Sequence, residues 1–422
     1  MHMRRNITQT MLCCSSRKED SNLEDHKSLL ENIIVKSYND YKLSLKNRSS
    51  LYFLHFSKAG GSTFCASALE NNCKDIHYNT TGGKYKPAQN CWGGEDGPKW
   101  RYNSLKRQMW EFTGDRVGAN RNMSCPELAK QSVSQQVSII MNENYLPSVS
   151  HGLPAMVCPQ FMNVLMIRDP VARILSHFSM MTDPSFHSNK GVNQIPLNLL
   201  DFSHYAPIIT NNYYIRCLNG FETYIAPKDA IHRKHLDTAI RNLEKFDIIF
   251  ALELLPKQTE RSLANDKDDS TSAMKALLQL GLGWETPSFQ NKRKTGAGIK
   301  LFDDLKKTKI KNEKINAHQK INNNHHHHMK TVPTKQSFSK SSQQIQIKKP
   351  SSDEIKIISV RNQLDIELYH YAFEIASLDM SYFTKLQQME TQQLLLSSNI
   401  NSTIHPFSST SSSSRNCLAT CG

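Results

Sequence analysis

Residues 51–63 read LYFLHFSKAGGST, an apolar run followed at once by a pair of glycines. The run from Leu51 to Phe56 is typical of a buried strand, and the segment from Ser62 to about Asn71 has the pattern of a helix. A strand that passes through a glycine turn into a helix directs backbone N–H groups and the positive helix end to one point. The stretch therefore predicts an anion-binding turn.

The side chains of this turn favour a phosphate-like group. Lys58 places a compact cation on the turn, and Ser62 and Thr63 add hydroxyl donors. Gly60 and Gly61 carry no Cβ that would keep the anion away from the backbone. Because the lysine precedes the glycines, the arrangement differs from the GxxxxGK[ST] loop of P-loop nucleoside triphosphatases.

A second segment with residues suited to ligand binding spans residues 168–178 and reads RDPVARILSHF. It follows the apolar run 164–167, and Asp169 as N-cap with Pro170 at the first helical position predicts a helix to about residue 181. Arg168 would then end a strand, at the edge of the sheet where ligands bind in open α/β folds. Ser176 lies two helical turns further along, so a phosphate between the strand end and the helix would meet both side chains.

The rest of the chain alternates short apolar runs, such as 137–141 and 246–252, with helical patterns such as 208–219 and 229–245. Such alternation predicts an α/β fold with a parallel central sheet and crossover helices.

Composition divides the chain into five segments. Residues 1–50 are polar and predicted to form a stalk or to be disordered, whereas 51–290 and 353–390 carry the α/β pattern. Residues 291–352 are rich in Lys, Asn, Gln and Ser, and we expect this low-complexity insertion not to fold. The Ser-rich segment 391–422 is predicted to be a disordered tail.

The positive charge of the chain is concentrated in one place. The net charge is +14, but residues 291–350 contain 15 Lys and Arg against 3 Asp and Glu and so carry 12 of these charges. The predicted folded part is therefore near neutral, which argues against a nucleic-acid partner.

Ten cysteines are present, and none has the spacing of a structural zinc site. Cys73 and Cys91 bracket a glycine-rich stretch and either close a loop in an oxidising compartment or remain thiols. No stretch has the roughly 20 apolar residues of a membrane span, and the first 50 residues lack the apolar core of a signal peptide. As written, the chain is expected to be soluble or to lack its anchor.

The two phosphate-binding segments together resemble the sulfotransferases that use PAPS (3′-phosphoadenosine 5′-phosphosulfate), particularly the Golgi carbohydrate group that includes the heparan sulfate sulfotransferases. That family's 5′-phosphosulfate loop is usually written Pro-Lys-Thr-Gly-Gly-Thr. Here Ser57 replaces the Pro. The residues that correspond to the rest of the loop, and to cofactor-binding positions, are Lys58, Ala59, Gly60, Gly61, Ser62 and Thr63.

Arg168 and Ser176 match the Arg and Ser of the family's 3′-phosphate motif. Weaker similarities follow at Asn212–Gly220, Leu243–Asp247 and Asn362–Tyr369, so that the resemblance covers roughly residues 51–290 and 355–385.

The resemblance implies a P-loop-like three-layer α/β/α sandwich, PAPS as co-substrate, PAP (adenosine 3′,5′-bisphosphate) as product, a glycan hydroxyl as acceptor and a Golgi-lumenal location. An acceptor oxygen would attack sulfur in line, and Lys58 with the loop N–H groups would stabilise the leaving group without a metal. A base must also take the acceptor proton. Glu143 resembles the strand-end glutamate used in some branches, His151 is similar to the histidine used in others, and a further residue is the third option.

Two other interpretations stay open. One is a P-loop kinase or other nucleoside triphosphatase, against which stand the absent GxxxxGK[ST] motif and the lack of an acidic strand end as a magnesium ligand. The other is a catalytically inactive module that binds PAP and keeps the fold.

Overall fold

The computed structural model of this chain describes residues 23–48, 50–73, 100–103, 108–112, 125–134, 136–143, 145–147, 154–182, 198–255, 269–285 and 349–401. His151, Cys91 and most of the 291–352 insertion lie outside these residues.

The strands are β1 (Ser50–His55), β2 (Trp100–Asn103), β3 (Gln108–Phe112), β4 (Ile139–Asn142), β5 (Phe161–Ile167) and β6 (Ile248–Ala251). Four of them form one sheet in the order β4–β1–β5–β6, and every neighbouring pair is parallel. The predicted α/β fold with a central parallel sheet is confirmed. β2 and β3 form a separate antiparallel pair.

The helices before the last strand of the sheet are α1 (Leu23–Leu45), α2 (Gly61–Glu70), α3 (Cys125–Ser134), α4 (Pro170–Met181), α5 (Leu199–Tyr205), α6 (Pro207–Thr210), α7 (Tyr213–Leu218), α8 (Phe221–Tyr224) and α9 (Arg233–Leu243). Those after it are α10 (Asp269–Ala276), α11 (Ser352–Arg361) and α12 (Gln363–Asn401). Short 3₁₀ turns occupy Lys228–Ala230 and Leu252–Leu254, and a π-helical turn at Leu277–Gly281 continues α10.

Helices cover both faces of the sheet. Successive side chains of β1 alternate between two cores: Tyr52 and Leu54 belong to the one that includes residues of α4, α7 and α9, and Leu51 and Phe53 to the one that includes residues of α1, α2 and α10. Parallel strands buried on both faces have this near-continuous apolar character. The glycine turn between β1 and α2 therefore lies at the end of a fully buried strand.

Before residue 51, where the sequence predicted a helical stalk or disorder, the structure has the helix α1. α1 places an apolar stripe at Ile34, Tyr38, Tyr41 and Leu45, all of them buried. The spacing of four, three and four residues keeps these side chains on one helix face. At least the second half of α1 therefore belongs to the folded body.

The C-terminal end also differs from its predicted boundary at residue 390. α12 continues through Asn401, because residues 386–401 contain no Gly or Pro and are rich in Leu, Gln and Met, which favour helices. None of the helices in the described residues is long and apolar enough to cross a bilayer.

Candidate functional site

The turn after β1 has a fixed and uncommon backbone. The Ala59 N–H donates to the Phe56 carbonyl over 3.0 Å, and α2 begins directly afterwards at Gly61. Lys58 (φ 66°) and Gly60 (φ 94°) both adopt the left-handed conformation. This conformation is costly for a residue with a Cβ, so the surrounding structure must hold Lys58 in place.

The two glycines are required by packing inside the protein. A Cβ on Gly60 would come within 2.5 Å of Met166 Sδ on β5, and a Cβ on Gly61 would overlap the imidazole of His55. From the sequence, we expected these glycines to let an anion come close to the backbone. The structure adds a second requirement, because the turn lies directly against the ends of β1 and β5.

Arg168 follows β5 and meets the turn. Its Nη1 donates to the Lys58 carbonyl over 3.2 Å, and its side chain is nearly buried. Burial lowers the pKa of Arg168, and the carboxylate of Glu253 opposes this shift. The two segments that the sequence predicted separately to bind anions are therefore in contact.

Ser176 lies on the helix that follows Arg168. Asp169 caps that helix by accepting a 2.7 Å hydrogen bond from the Ala172 N–H, as its sequence predicted. Lys58 Nζ lies 3.6 Å from the Sδ of Met180. Residues four apart share a helix face, so the face of α4 that carries Met180 and half-buried Ser176 is turned toward the glycine turn. Ser62 and Thr63 are half-buried in the first turn of α2.

An acidic residue at the end of β6 was missed by the sequence analysis. Glu253 lies in the 3₁₀ turn after that strand and accepts a 2.9 Å hydrogen bond from the Asp169 N–H. Loss of hydration raises the pKa of Glu253, against the effect of nearby Arg168. The sequence argument against a magnesium ligand did not consider Glu253. Among the described residues, no group of three or more His, Cys, Asp or Glu is placed to hold a metal ion.

The candidate base Glu143 lies just after β4 and faces the end of β1. Its Oε2 is 3.8 Å from Nδ1 of His55, and the side chains of Glu143 and His55 are only 9% and 6% exposed. The sequence analysis gave no role to His55. The other candidate base, His151, lies outside the described residues.

Two buried tyrosines at the start of α7 connect the strand ends. The hydroxyl of Tyr214 donates to the Arg168 carbonyl over 2.6 Å. The hydroxyl of Tyr213 accepts from the Ser57 N–H (3.4 Å) and donates to the Glu143 carbonyl (3.5 Å). Burial raises the pKa of both phenols well above the ordinary value, so both remain protonated donors at neutral pH.

Asp365 at the start of α12 and Asn362, just before it, hold the backbone at the start of α7. Asp365 accepts hydrogen bonds from the backbone N–H groups of Tyr214 (2.9 Å) and Ile215 (3.0 Å), and Asn362 Oδ1 accepts from the Asn212 N–H (2.9 Å). The segments 212–220 and 362–369, singled out separately in the sequence, therefore hold each other.

Disulfides are present in the folded part. Cys125 and Cys158 are bonded, and Cys65 and Cys73 are also in disulfides, whereas Cys217 is a buried thiol. For Cys73, the sequence had left open a disulfide with Cys91 or a free thiol, and the structure has Cys73 in a disulfide.

A comparison with protein-family models finds no family that matches this chain, and a comparison with curated proteins finds no matching relative.

Proposed function

We propose that this chain is a PAPS-dependent sulfotransferase with a P-loop-like three-layer α/β/α fold, acting on a carbohydrate hydroxyl. One observation carries the proposal: the 3.2 Å hydrogen bond from Arg168 Nη1 to the Lys58 carbonyl joins the two segments that resemble the family's two phosphate-binding motifs. They are 110 residues apart in the chain, yet they form one cationic region. It lies at the carboxyl ends of parallel strands, where open α/β folds bind ligands.

Each half of the region fits one end of the nucleotide. The positive end of the α2 dipole and the Lys58 ammonium would attract a 5′-phosphosulfate. Arg168 offers a planar fork of donors and Ser176 a hydroxyl to a 3′-phosphate. Burial of Arg168 strengthens its attraction for an anion, because screening by water is reduced.

In the proposed reaction, these groups act on the sulfonate and on its leaving group. An acceptor oxygen forms a bond to sulfur while the bond from sulfur to the bridging oxygen breaks, and PAP leaves with the electron pair. Lys58 and the turn amides stabilise the charge that develops on the bridging oxygen, so the proposal needs no metal ion. Glu143 takes the acceptor proton, with His151 as the other candidate base.

The acceptor class and compartment rest mainly on the family resemblance. The disulfide between Cys125 and Cys158 supports an oxidising compartment such as the Golgi lumen, because disulfides are rare in the cytosol.

A nucleoside triphosphatase or kinase is the second candidate, and Glu253 favours it. Acidic residues at strand ends hold Mg²⁺ in that class. Here, however, one carboxylate oxygen of Glu253 already accepts a hydrogen bond from the Asp169 N–H. The third alternative, an inactive PAP-binding module, shares the whole cationic region with the proposal.

One set of measurements separates the three functions. The purified chain is incubated with PAPS labelled in its sulfonate and a panel of glycans, lipids and small alcohols, and PAP binding is measured by calorimetry. We expect label on a glycan. PAP binding without transfer to any acceptor would indicate the inactive module, and Mg²⁺-dependent hydrolysis of ATP or GTP would indicate the triphosphatase.

A further inference from the structure

His55 occupies the space between the glycine turn and the end of the neighbouring strand β4. It is the last residue of β1 and is buried. Its ring stacks on Phe53 with a centroid distance of 5.9 Å and an interplanar angle of 16°. Phe53 in turn stacks on Phe64 of α2 at 4.0 Å. Aromatic packing therefore fixes the plane of the imidazole.

The imidazole has Glu143 at its Nδ1 edge and Gly61 against one face. Nδ1 faces Glu143 Oε2 at 3.8 Å. One face of the ring packs so closely on Gly61 that a Cβ there would overlap Nε2 and both adjacent ring carbons. The start of α2 therefore covers one face of the imidazole, while its Nδ1 edge is turned toward Glu143.

We infer that His55 is a positioning residue that holds the Glu143 carboxylate at a fixed place relative to the glycine turn. This rests on the proposed function, in which Glu143 is the base. A carboxylate with so little exposure requires a polar or charged partner. In-line transfer also requires the base, the acceptor and sulfur to be aligned within a fraction of an ångström. Since one ring packs on Gly61 and faces Glu143, it sets the base relative to the group that binds the sulfonate.

The distance of 3.8 Å exceeds that of a hydrogen bond. Catalytic contacts are often long before substrate binds and shorten in the complex. A change of less than 1 Å in the Glu143 side chain would bring its oxygen to hydrogen-bond distance from Nδ1.

The test is a double-mutant cycle on the full chain, with kcat and KM for PAPS measured for each variant. His55→Phe keeps the ring and the stack on Phe53 but removes the polar Nδ1. We expect kcat to fall about 10–100-fold, as for other residues that orient a catalytic group, with KM for PAPS little changed. Glu143→Gln should lower kcat by about 10²–10⁴-fold. Once Glu143 is Gln, His55→Phe should cost little more, because the two residues act as a unit.

Two amide variants and a packing control separate positioning from stability. His55→Asn places an amide nitrogen near the Nδ1 position and should retain more activity than His55→Phe, whereas His55→Gln reaches the Nε2 side and should not. If His55→Phe does not fold, the comparison of kcat between His55→Asn and His55→Gln tests the inference instead. Phe53→Leu disturbs the same stack without touching the polar edge, and its effect on kcat should be additive with that of Glu143→Gln.

The outcomes are distinct. A wild-type chain that transfers no sulfonate overturns the proposed function and, with it, this inference. An active wild type in which His55→Phe lowers kcat equally in both backgrounds, or in which Asn and Gln behave alike, overturns the inference alone.

Discussion

Lys58 combines a cationic side chain with a left-handed backbone, and the two can be tested separately. Lys58→Ala removes the charge but keeps a Cβ in the strained conformation, so thermal stability should change little. Turnover should fall about 10²-fold or more, as on loss of a single donor to developing negative charge. Lys58→Gly should be as inactive and slightly more stable, because glycine adopts this conformation without strain. Lys234→Ala, at an exposed position, is the control and should have normal turnover. Normal turnover in a folded Lys58→Ala variant would show that the turn takes no part in the reaction.

Arg168 and Ser176 should distinguish PAP from an analogue that lacks the 3′-phosphate. Replacing either with Ala should weaken binding of PAP more than binding of an analogue without that phosphate, and for Arg168 the loss should be about 2–5 kcal/mol. Arg168 also donates to the Lys58 carbonyl, so its loss loosens the turn as well. Ser176→Ala is the cleaner variant for this reason. Calorimetry with both ligands provides the check, and equal losses would show that the 3′-phosphate binds elsewhere.

At the scale of elements, the junction of α7 with α12 depends on one buried carboxylate. Burial raises the pKa of Asp365 from 3.8 to about 6. Between these values the folded protein keeps a proton that the unfolded chain has lost. The stability that this difference contributes is fully present below about pH 4 and is lost as the pH rises through about 6.

Asp365→Asn removes this titration. The free energy of unfolding of the wild type should therefore fall between pH 4.5 and 7 by more than that of the variant. Urea unfolding at both pH values measures the difference, with exposed Asp237→Asn as the control. Parallel pH dependences in wild type and Asp365→Asn would show that Asp365 has an ordinary pKa.

Elements with strong local signals were predicted closely. The run from Leu51, the turn, and the helix capped by Asp169 all lie within a few residues of their predicted places, because strand periodicity, glycines and capping residues act over short distances. The connections made by Tyr214 and His55 were not predicted. They depend on partners such as Asp365, 151 residues from Tyr214, which only the folded chain brings near.

At the scale of the whole molecule, the chain is expected to tolerate loss of its basic insertion. The residues described after the insertion include buried Pro350 and a capping box in which Ser351 and Glu354 exchange hydrogen bonds. Deleting residues 296–348 should therefore leave the melting temperature and PAP affinity nearly unchanged, as for an unfolded segment between folded ones. Extending the deletion to residue 354 removes the capping box and should lower the melting temperature. A large fall with the shorter deletion would show that the segment packs on the core.

The N-terminal helix should behave in the opposite way, although its composition predicted a stalk or disorder. Tyr41 donates to the Gly281 carbonyl over 2.7 Å, 240 residues away, and the Tyr382 hydroxyl donates back to the Ile34 carbonyl over 3.1 Å. Arg48, just after the helix, forms an ion pair with Asp247. Composition could not reveal these contacts, because two tyrosines and two aliphatic residues make only a narrow apolar stripe in a polar segment.

Deletion of residues 1–48 should leave a chain that does not fold cooperatively. Each of the four buried side chains on α1 contributes about 1.5–3 kcal/mol through burial, and together they approach the whole stability of a typical domain, about 5–15 kcal/mol. A milder change, Tyr41→Phe, leaves the buried Gly281 carbonyl without its donor and should cost about 1–3 kcal/mol. Leu43 on the same helix is 62% exposed, so Leu43→Ala should stay within about 0.5 kcal/mol of wild type. Circular dichroism melts compare the three variants with the full chain, and a deletion variant that melts like the full chain would show that α1 only covers the core without stabilising it.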